Sequence, residues 1–157
     1  MWTCPRCNQK FLNKNQSHSC GLYSVEGFLK GKSAVAVALF RKFVSVYKTI
    51  GPYELHPVKT RVALLTQIRF ASVNRLGPNY LDGHFVLTRR LPDESIVYRI
   101  DNLNDRLFVH HFRIYKPEAI NAKFKKYMRM AYLAGRRNYI GKRAKRVRAQ
   151  LRTKRPQ

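Results

Sequence analysis

The chain predicts an α+β fold: a small N-terminal zinc hairpin, then a helix, an antiparallel sheet meander and a second helix, with a basic C-terminal tail. Three observations carry this. All three cysteines of the 157-residue chain fall within its first twenty residues. From Tyr53 to Ile114, apolar and polar residues alternate in short runs separated by turn residues, the period of half-buried strands. On either side of that region, apolar residues recur at steps of three and four, the period of an amphipathic helix. The expected organisation is a hook over 1–21, a connector over 22–32, an α+β domain over 33–135 and a tail over 136–157.

The hook rests on Cys4-Pro5-Arg6-Cys7 and His18-Ser19-Cys20. Two cysteines separated by two residues can point into one tight turn and supply half of a tetrahedral zinc site. His18 and Cys20 sit two apart, so on an extended segment their side chains fall on one side and close the set. The residues between the pairs, Asn8 to Ser17, are enough for a short hairpin. Trp2, Phe11 and Leu12 provide the apolar cluster that so short a segment otherwise lacks. Four protein ligands leave no open position, so Cys4, Cys7, His18 and Cys20 are expected to hold a structural Zn2+. A redox Cys-x-x-Cys would want a strand before it and a helix after it. A disulfide would leave one odd cysteine and require an oxidising compartment. The order aromatic-x-Cys-x-x-Cys-x-x-x-Phe resembles the hairpin half of a Cys2His2 zinc finger. The finger's helix is not matched, because His18 and Cys20 cannot share one helical face.

In the connector, Gly27 to Ser33 looks like a phosphate-binding loop, but the position that needs its first glycine is Glu26. Ser33 reads instead as the N-cap of a helix over Ala34 to Thr49. Leu39, Phe40, Phe43, Val44, Tyr47 and Ile50 form its apolar face, and Gly51-Pro52 stops it. The strand region opens with alternation from Val62 to Phe70. A turn at Leu76-Gly77-Pro78-Asn79 precedes a strand through His84, Val86 and Thr88. A second turn at Pro92-Asp93-Glu94 precedes Ser95 to Ile100. After a loop at Asp101 to Asp105 comes a last strand, Leu107 to Ile114. Lys116-Pro117-Glu118 opens the second helix. Its apolar face is Ile120, Phe124, Tyr127, Met128, Ala131 and Tyr132, and Gly135 is expected just past its end. Both helices then cover one face of the sheet. In the tail, Ile140, Ala144, Val147 and Leu151 make a narrow apolar stripe among arginines and lysines, a helix that forms when bound to a polyanion.

The net charge is +24, and its distribution is uneven. From Lys116 to Gln157 there are 15 Lys or Arg and one acid, Glu118, whereas Gly21 to Tyr115 holds 14 basic residues and 7 acids. Such a field attracts nucleic acid or another polyanion. The residues expected to contact phosphates are Lys123, Lys125, Lys126, Arg129, Arg136, Arg137, Lys142, Arg143, Lys145, Arg146 and Arg148, with Tyr127, Tyr132 and Tyr139 interleaved for base stacking. An acidic protein or an anionic membrane surface is the other partner class. The chain has no apolar run of membrane-span length, and the tail stripe lacks the Trp or Phe of deep insertion. Met1-Trp2-Thr3-Cys4 shows no signal-peptide pattern, which with the cysteine usage predicts the cytoplasm.

The eight acids are scattered, several of them in turns, and no nucleophile–base pair appears, so hydrolytic chemistry is not expected. The alternative is a small-anion binder or enzyme that gathers His56, Lys59, His84, Arg89 and His110 on neighbouring strands. His110 and His111 point to opposite faces, so one of them at most serves such a site.

The run Trp2-Thr3-Cys4-Pro5-Arg6-Cys7, with Asn15-Gln16-Ser17-His18-Ser19-Cys20, Gly51-Pro52, His56-Pro57-Val58-Lys59-Thr60, Leu81-Asp82-Gly83-His84 and His110-His111-Phe112, resembles a set of uncharacterised bacterial proteins. These carry a small zinc hook before an α+β domain of unknown function. The resemblance spans Met1 to Ile140 and leaves out the basic tail. It implies a soluble bacterial protein and supplies no activity.

Overall fold

A computed structural model of the chain describes residues 2–11, 13–93 and 95–137. Strands β1 (Trp2–Thr3) and β2 (Lys10–Phe11) pair antiparallel, Trp2 opposite Phe11, and enclose the Cys4–Cys7 turn. The hairpin therefore closes around the first cysteine pair and not in the stretch between the pairs. Helix α1 (Val25–Leu29), capped by the Ser24 hydroxyl, lies inside the expected connector. Its Val25, Phe28 and Leu29 pack on the core, so this stretch is part of the fold and not a spacer.

Helix α2 (Ala34–Ile50) begins where the N-cap signal places it, with Ser33 Oγ accepting from the Ala36 N–H at 3.1 Å. Six strands follow: β3 (Glu54–Val58), β4 (Arg61–Leu65), β5 (Arg69–Leu76), β6 (Leu81–Leu87), β7 (Val97–Asn102) and β8 (Phe108–Ile114). The run read as alternating from Val62 to Phe70 is interrupted at Thr66 to Ile68, where the chain reverses from β4 to β5. All pairings are antiparallel, in the order β3-β4-β5-β6-β8-β7. The chain meanders as far as β6. β8 then inserts between β6 and β7, which leaves β7 on the edge.

A short 3-10 turn, Pro117–Ala119, occupies the place where the second helix was expected to open. Helix α3 (Ala122–Gly135) starts later, its N-cap Asn121 accepting from the Phe124 N–H at 3.0 Å. Gly135 is still helical and is there for clearance. A Cβ on it would lie 2.6 Å from the Phe70 ring, and its carbonyl accepts from the Ile68 N–H.

The helices cover one face of the sheet. Phe43 and Tyr47 of α2, and Phe124 and Met128 of α3, bury against Val62, Leu64, Phe70, Val73, Phe85, Phe112 and Ile114. The rings interlock edge to face and offset: Phe85–Phe112 centroids are 5.0 Å apart, Phe112–Phe124 5.0 Å and Tyr47–Phe70 5.2 Å. Such pairs add to the burial of the rings themselves. Gly83 lets β6 approach, since a Cβ there would sit 2.6 Å from Phe112 and 2.7 Å from the Ser72 carbonyl.

The register fixes the opposite face. His56, Ala63, Ser72, His84, His111 and Arg99 oppose one another in a row running from β3 to β7. Directly opposed residues of paired strands share a face. Among the described residues no helix lies on this side. The hook borders it at β3, where Phe11 meets the His56 ring at 5.5 Å and Lys10 pairs with Glu54 at 3.0 Å.

Candidate metal centre and the polar sheet face

Each ligand of the hook is placed by a local backbone device. The Asn8 N–H donates to the Cys4 carbonyl and the Cys4 N–H to the Gln9 carbonyl, both at 2.9 Å, so the turn folds both thiols toward one point. Asn8 takes the left-handed conformation, φ 56°, that an Asn tolerates better than most residues. His18 and Cys20 converge by a three-residue turn, with the Cys20 N–H donating to the His18 carbonyl at 3.0 Å, and not through extended alternation. Gly21, at φ 68°, then carries the chain away.

The donor atoms of Cys4, Cys7, His18 and Cys20 all lie within 4.8 Å of one another. Cys4 Sγ is 3.6 Å from Cys20 Sγ, and Cys7 Sγ is 3.3 Å from His18 Nε2. A tetrahedron with metal–sulfur bonds of about 2.3 Å and metal–nitrogen bonds of about 2.0–2.1 Å has edges of about 3.6–3.8 Å. The set fits a metal ion, and the sulfurs are too far apart for a disulfide of about 2.05 Å. His18 Nδ1–H donates to the Gln16 carbonyl at 2.7 Å, which turns the Nε2 lone pair toward the thiols.

The protonation states agree. Burial opposes ionisation of Cys4, but the backbone N–H groups of Arg6 and Cys7 outweigh it and hold that thiol at about 6. Burial and the two neighbouring sulfurs push Cys20 up to about 11. The Gln16 carbonyl, and after it the thiols, raise His18. Cys20 thus resists ionising beside its neighbouring sulfurs, and a bound cation would offset that resistance.

The five residues expected to form an anion site do not converge. His110 turns toward the helices and is fully buried against Phe85. It donates from Nδ1–H to the Phe108 carbonyl at 3.1 Å and accepts the Leu91 N–H on Nε2 at 3.0 Å, so it anchors the loop after β6. Burial lowers its pKa and keeps it neutral. His56 and His84 lie on the face opposite the helices but are separated by β4 and β5, and His56 is buried beside Phe11 of the hook. Lys59 follows the end of β3 and Arg89 the end of β6, at opposite ends of the sheet by the strand register. Both are exposed.

Sequence reasoning missed the pair that does meet, His84 and His111, whose rings lie 5.5 Å apart. Asn74 Nδ2 donates to His84 Nδ1 at 2.9 Å, while burial, then the field of His111, Arg61 and Arg99, depress its pKa to about 4. His111 Nε2–H donates to Asp101 Oδ2 at 2.8 Å, and Arg99 reaches the same oxygen at 3.1 Å. Beside them Arg113 grips Asp82 with two bonds of 2.6 and 2.8 Å and lies 4.1 Å from the centre of the Tyr80 ring. The apolar phase of Phe108, Phe112 and Ile114 would have sent His110 inward and His111 outward.

Lys123, Lys126, Arg129 and Arg136 lie exposed on the outer side of α3 and just beyond it, with Lys125 and Arg137 half-buried. Tyr127 and Tyr132 are buried in the core, and Tyr132 donates to the Pro52 carbonyl at 2.9 Å, so neither serves as a stacking surface. Lys142, Arg143, Lys145, Arg146, Arg148 and Tyr139 lie outside the described residues. No described helix is long and apolar enough to cross a membrane. Compared with known protein families, with curated proteins and with solved structures, the chain shows no match.

Proposed function

We propose that this chain is a zinc-binding module that associates with nucleic acid mainly through phosphate contacts and without strong sequence choice. The observation that carries the nucleic-acid reading is the charge: fifteen Lys or Arg against one acid from Lys116 to Gln157, with the outer side of α3 as its described part. A field of one sign over so short a segment favours a polyanion. Zinc is the metal of choice because three cysteines and one histidine offer soft and borderline ligands in a closed tetrahedral set. The metal's task is structural. It orders a hook that brings Phe11 against His56 at the edge of the sheet. The hook over 1–21 is ordered by metal, and the domain over 33–135 folds on its own core, with α1 packed against it. Three cysteines committed to one metal suit a reducing compartment such as the cytoplasm.

The test is a binding series on a DNA duplex over a range of salt, with the full chain and with Arg143, Lys145, Arg146 and Arg148 replaced by Gln. Each phosphate neutralised contributes about −0.9 to the slope of log K against log salt on duplex DNA. The variant should weaken binding and flatten that slope by about 3 to 4. An unchanged affinity and slope would mean that the charge is solvated surface.

A further inference from the structure

The sheet face on which no described helix lies is not an ordinary solvated surface. Two large rings stand on it in the open: Tyr98 is 58% exposed and Tyr115 52%. Tyr115 follows β8 in the same alternation as Arg113, so it shares the side opposite the core residues Phe112 and Ile114. Tyr98 sits at the register shift between Val97 and Arg99 and comes within 6.2 Å of the His111 ring. Tyr80, one residue before β6, meets Tyr115 edge to face at 6.0 Å and carries the Arg113 guanidinium 4.1 Å from its centre. Asp82 fixes that guanidinium by two hydrogen bonds, yet the Arg113 side chain keeps 37% of its exposure. The result is a continuous surface of rings and a guanidinium plane, pre-set by the sheet and by Asp82.

A soluble sheet face usually carries flexible polar side chains, and exposed rings there need a partner that uses their flat sides. Nucleobases have such sides, but in a duplex they are stacked on one another and shielded. Only unpaired bases can lie on a protein ring. An open antiparallel sheet with stacking rings and cations at its margin is a sound geometry for that contact. We infer that the face bearing Tyr98, Tyr115, Tyr80, Arg113, Arg99 and His111 is a stacking platform for single-stranded nucleic acid. This rests on the reading of the chain as a nucleic-acid binder and adds where the bases go. Phosphate contacts from the basic segment give affinity for any polyanion, and the platform selects the unpaired strand.

The experiment is fluorescence anisotropy with a labelled oligothymidylate of about fifteen nucleotides, a length that spans a sheet-sized site. A labelled duplex of equal length is the second probe. The full chain is compared with Tyr98→Ala/Tyr115→Ala, with Tyr98→Phe/Tyr115→Phe, and with the four-glutamine variant named above. Both rings are exposed, so the fold tolerates their loss, and circular dichroism checks this. Stacking is worth about 1–3 kcal/mol per base, so the alanine variant, which removes two rings, should lose at least about 30-fold on the single strand. It should bind the duplex as the full chain does, with an unchanged salt slope, and the phenylalanine variant should retain single-strand affinity. If the alanine variant binds the single strand normally while the glutamine variant fails, the platform is wrong and the phosphate reading stands. Equal losses on both probes also overturn the platform. If the full chain binds neither probe, both readings fall.

Discussion

The hook and the sheet domain differ in how much apolar surface they bury. Among the described residues of 2–20 there are two short strands, and only Cys4 and Phe11 are buried. The domain buries interlocked rings and aliphatics from two helices and several strands. A segment of hook size cannot remove enough apolar surface from water to offset the entropy of ordering its backbone, whereas the domain can. The contrast teaches where each region is vulnerable: the hook to the loss of one ligand, the domain to the loss of one ring. Among the described residues their junction is an aromatic contact from Phe11 to His56, a hydrogen bond from Gln9 Nε2 to the Leu55 carbonyl at 3.4 Å and one ion pair, so damage to either should stay local.

Breaking a ligand should produce the largest effect. Structural zinc sites contribute about 10–16 kcal/mol of apparent binding free energy at neutral pH. Cys7→Ser should therefore abolish tight metal retention and disorder the hook, while the thermal unfolding of the domain moves little. Metal analysis and a melting curve on the same sample check both halves. The reverse experiment is Phe112→Ala. That ring is fully buried between Phe43, Phe85 and Phe124, and its truncation should cost the domain about 3–5 kcal/mol in a denaturant titration. The purified variant should keep its metal wherever it remains folded.

A smaller effect sharpens the comparison through pH. His84 is held at about 4, first by burial and then by the field of His111, Arg61 and Arg99. The unfolded chain takes up that proton near the ordinary value of 6.5, and the folded chain does so only near 4. Stability from this group is therefore full above about 6.5 and declines as pH falls toward about 4. The full span is on the order of 3 kcal/mol. His84→Asn should lower the pH dependence of domain stability in that window. An identical profile in both proteins would place the acid sensitivity elsewhere, for instance in the hook.

Much of this was legible from residue order. Spacing pointed to the grouping of Cys4, Cys7, His18 and Cys20, because tetrahedral coordination tolerates few arrangements, and their donor atoms do lie within 4.8 Å of one another. Helix α2 was legible because Ser33, the Leu39–Phe43–Tyr47 stripe and Gly51 agree on one element. The reversal at Thr66-Gln67-Ile68 was hidden because it contains no Gly, Pro or Asn and keeps the alternation in phase. Strand order was also hidden: β8 lies beside β6 because of long-range packing, which a period of two does not encode. Helix α3 opens at Asn121 and not at Pro117, and that N-cap signal was present in the sequence. The sheet cluster was misplaced because the phase of β8 was read without its apolar anchors, Phe112 and Ile114. The five-residue anion site dissolved with it.

The central claim is that a metal holds the hook while the domain holds itself. Its most direct test follows amide resonances of the purified full chain during stepwise chelation, with metal content measured at each step. The account predicts one zinc per chain, loss of dispersion for residues 2–20 as that zinc leaves, and unchanged resonances in the sheet and in α2. A hook that keeps its dispersion without metal, or a sheet that unfolds together with the hook, would contradict it.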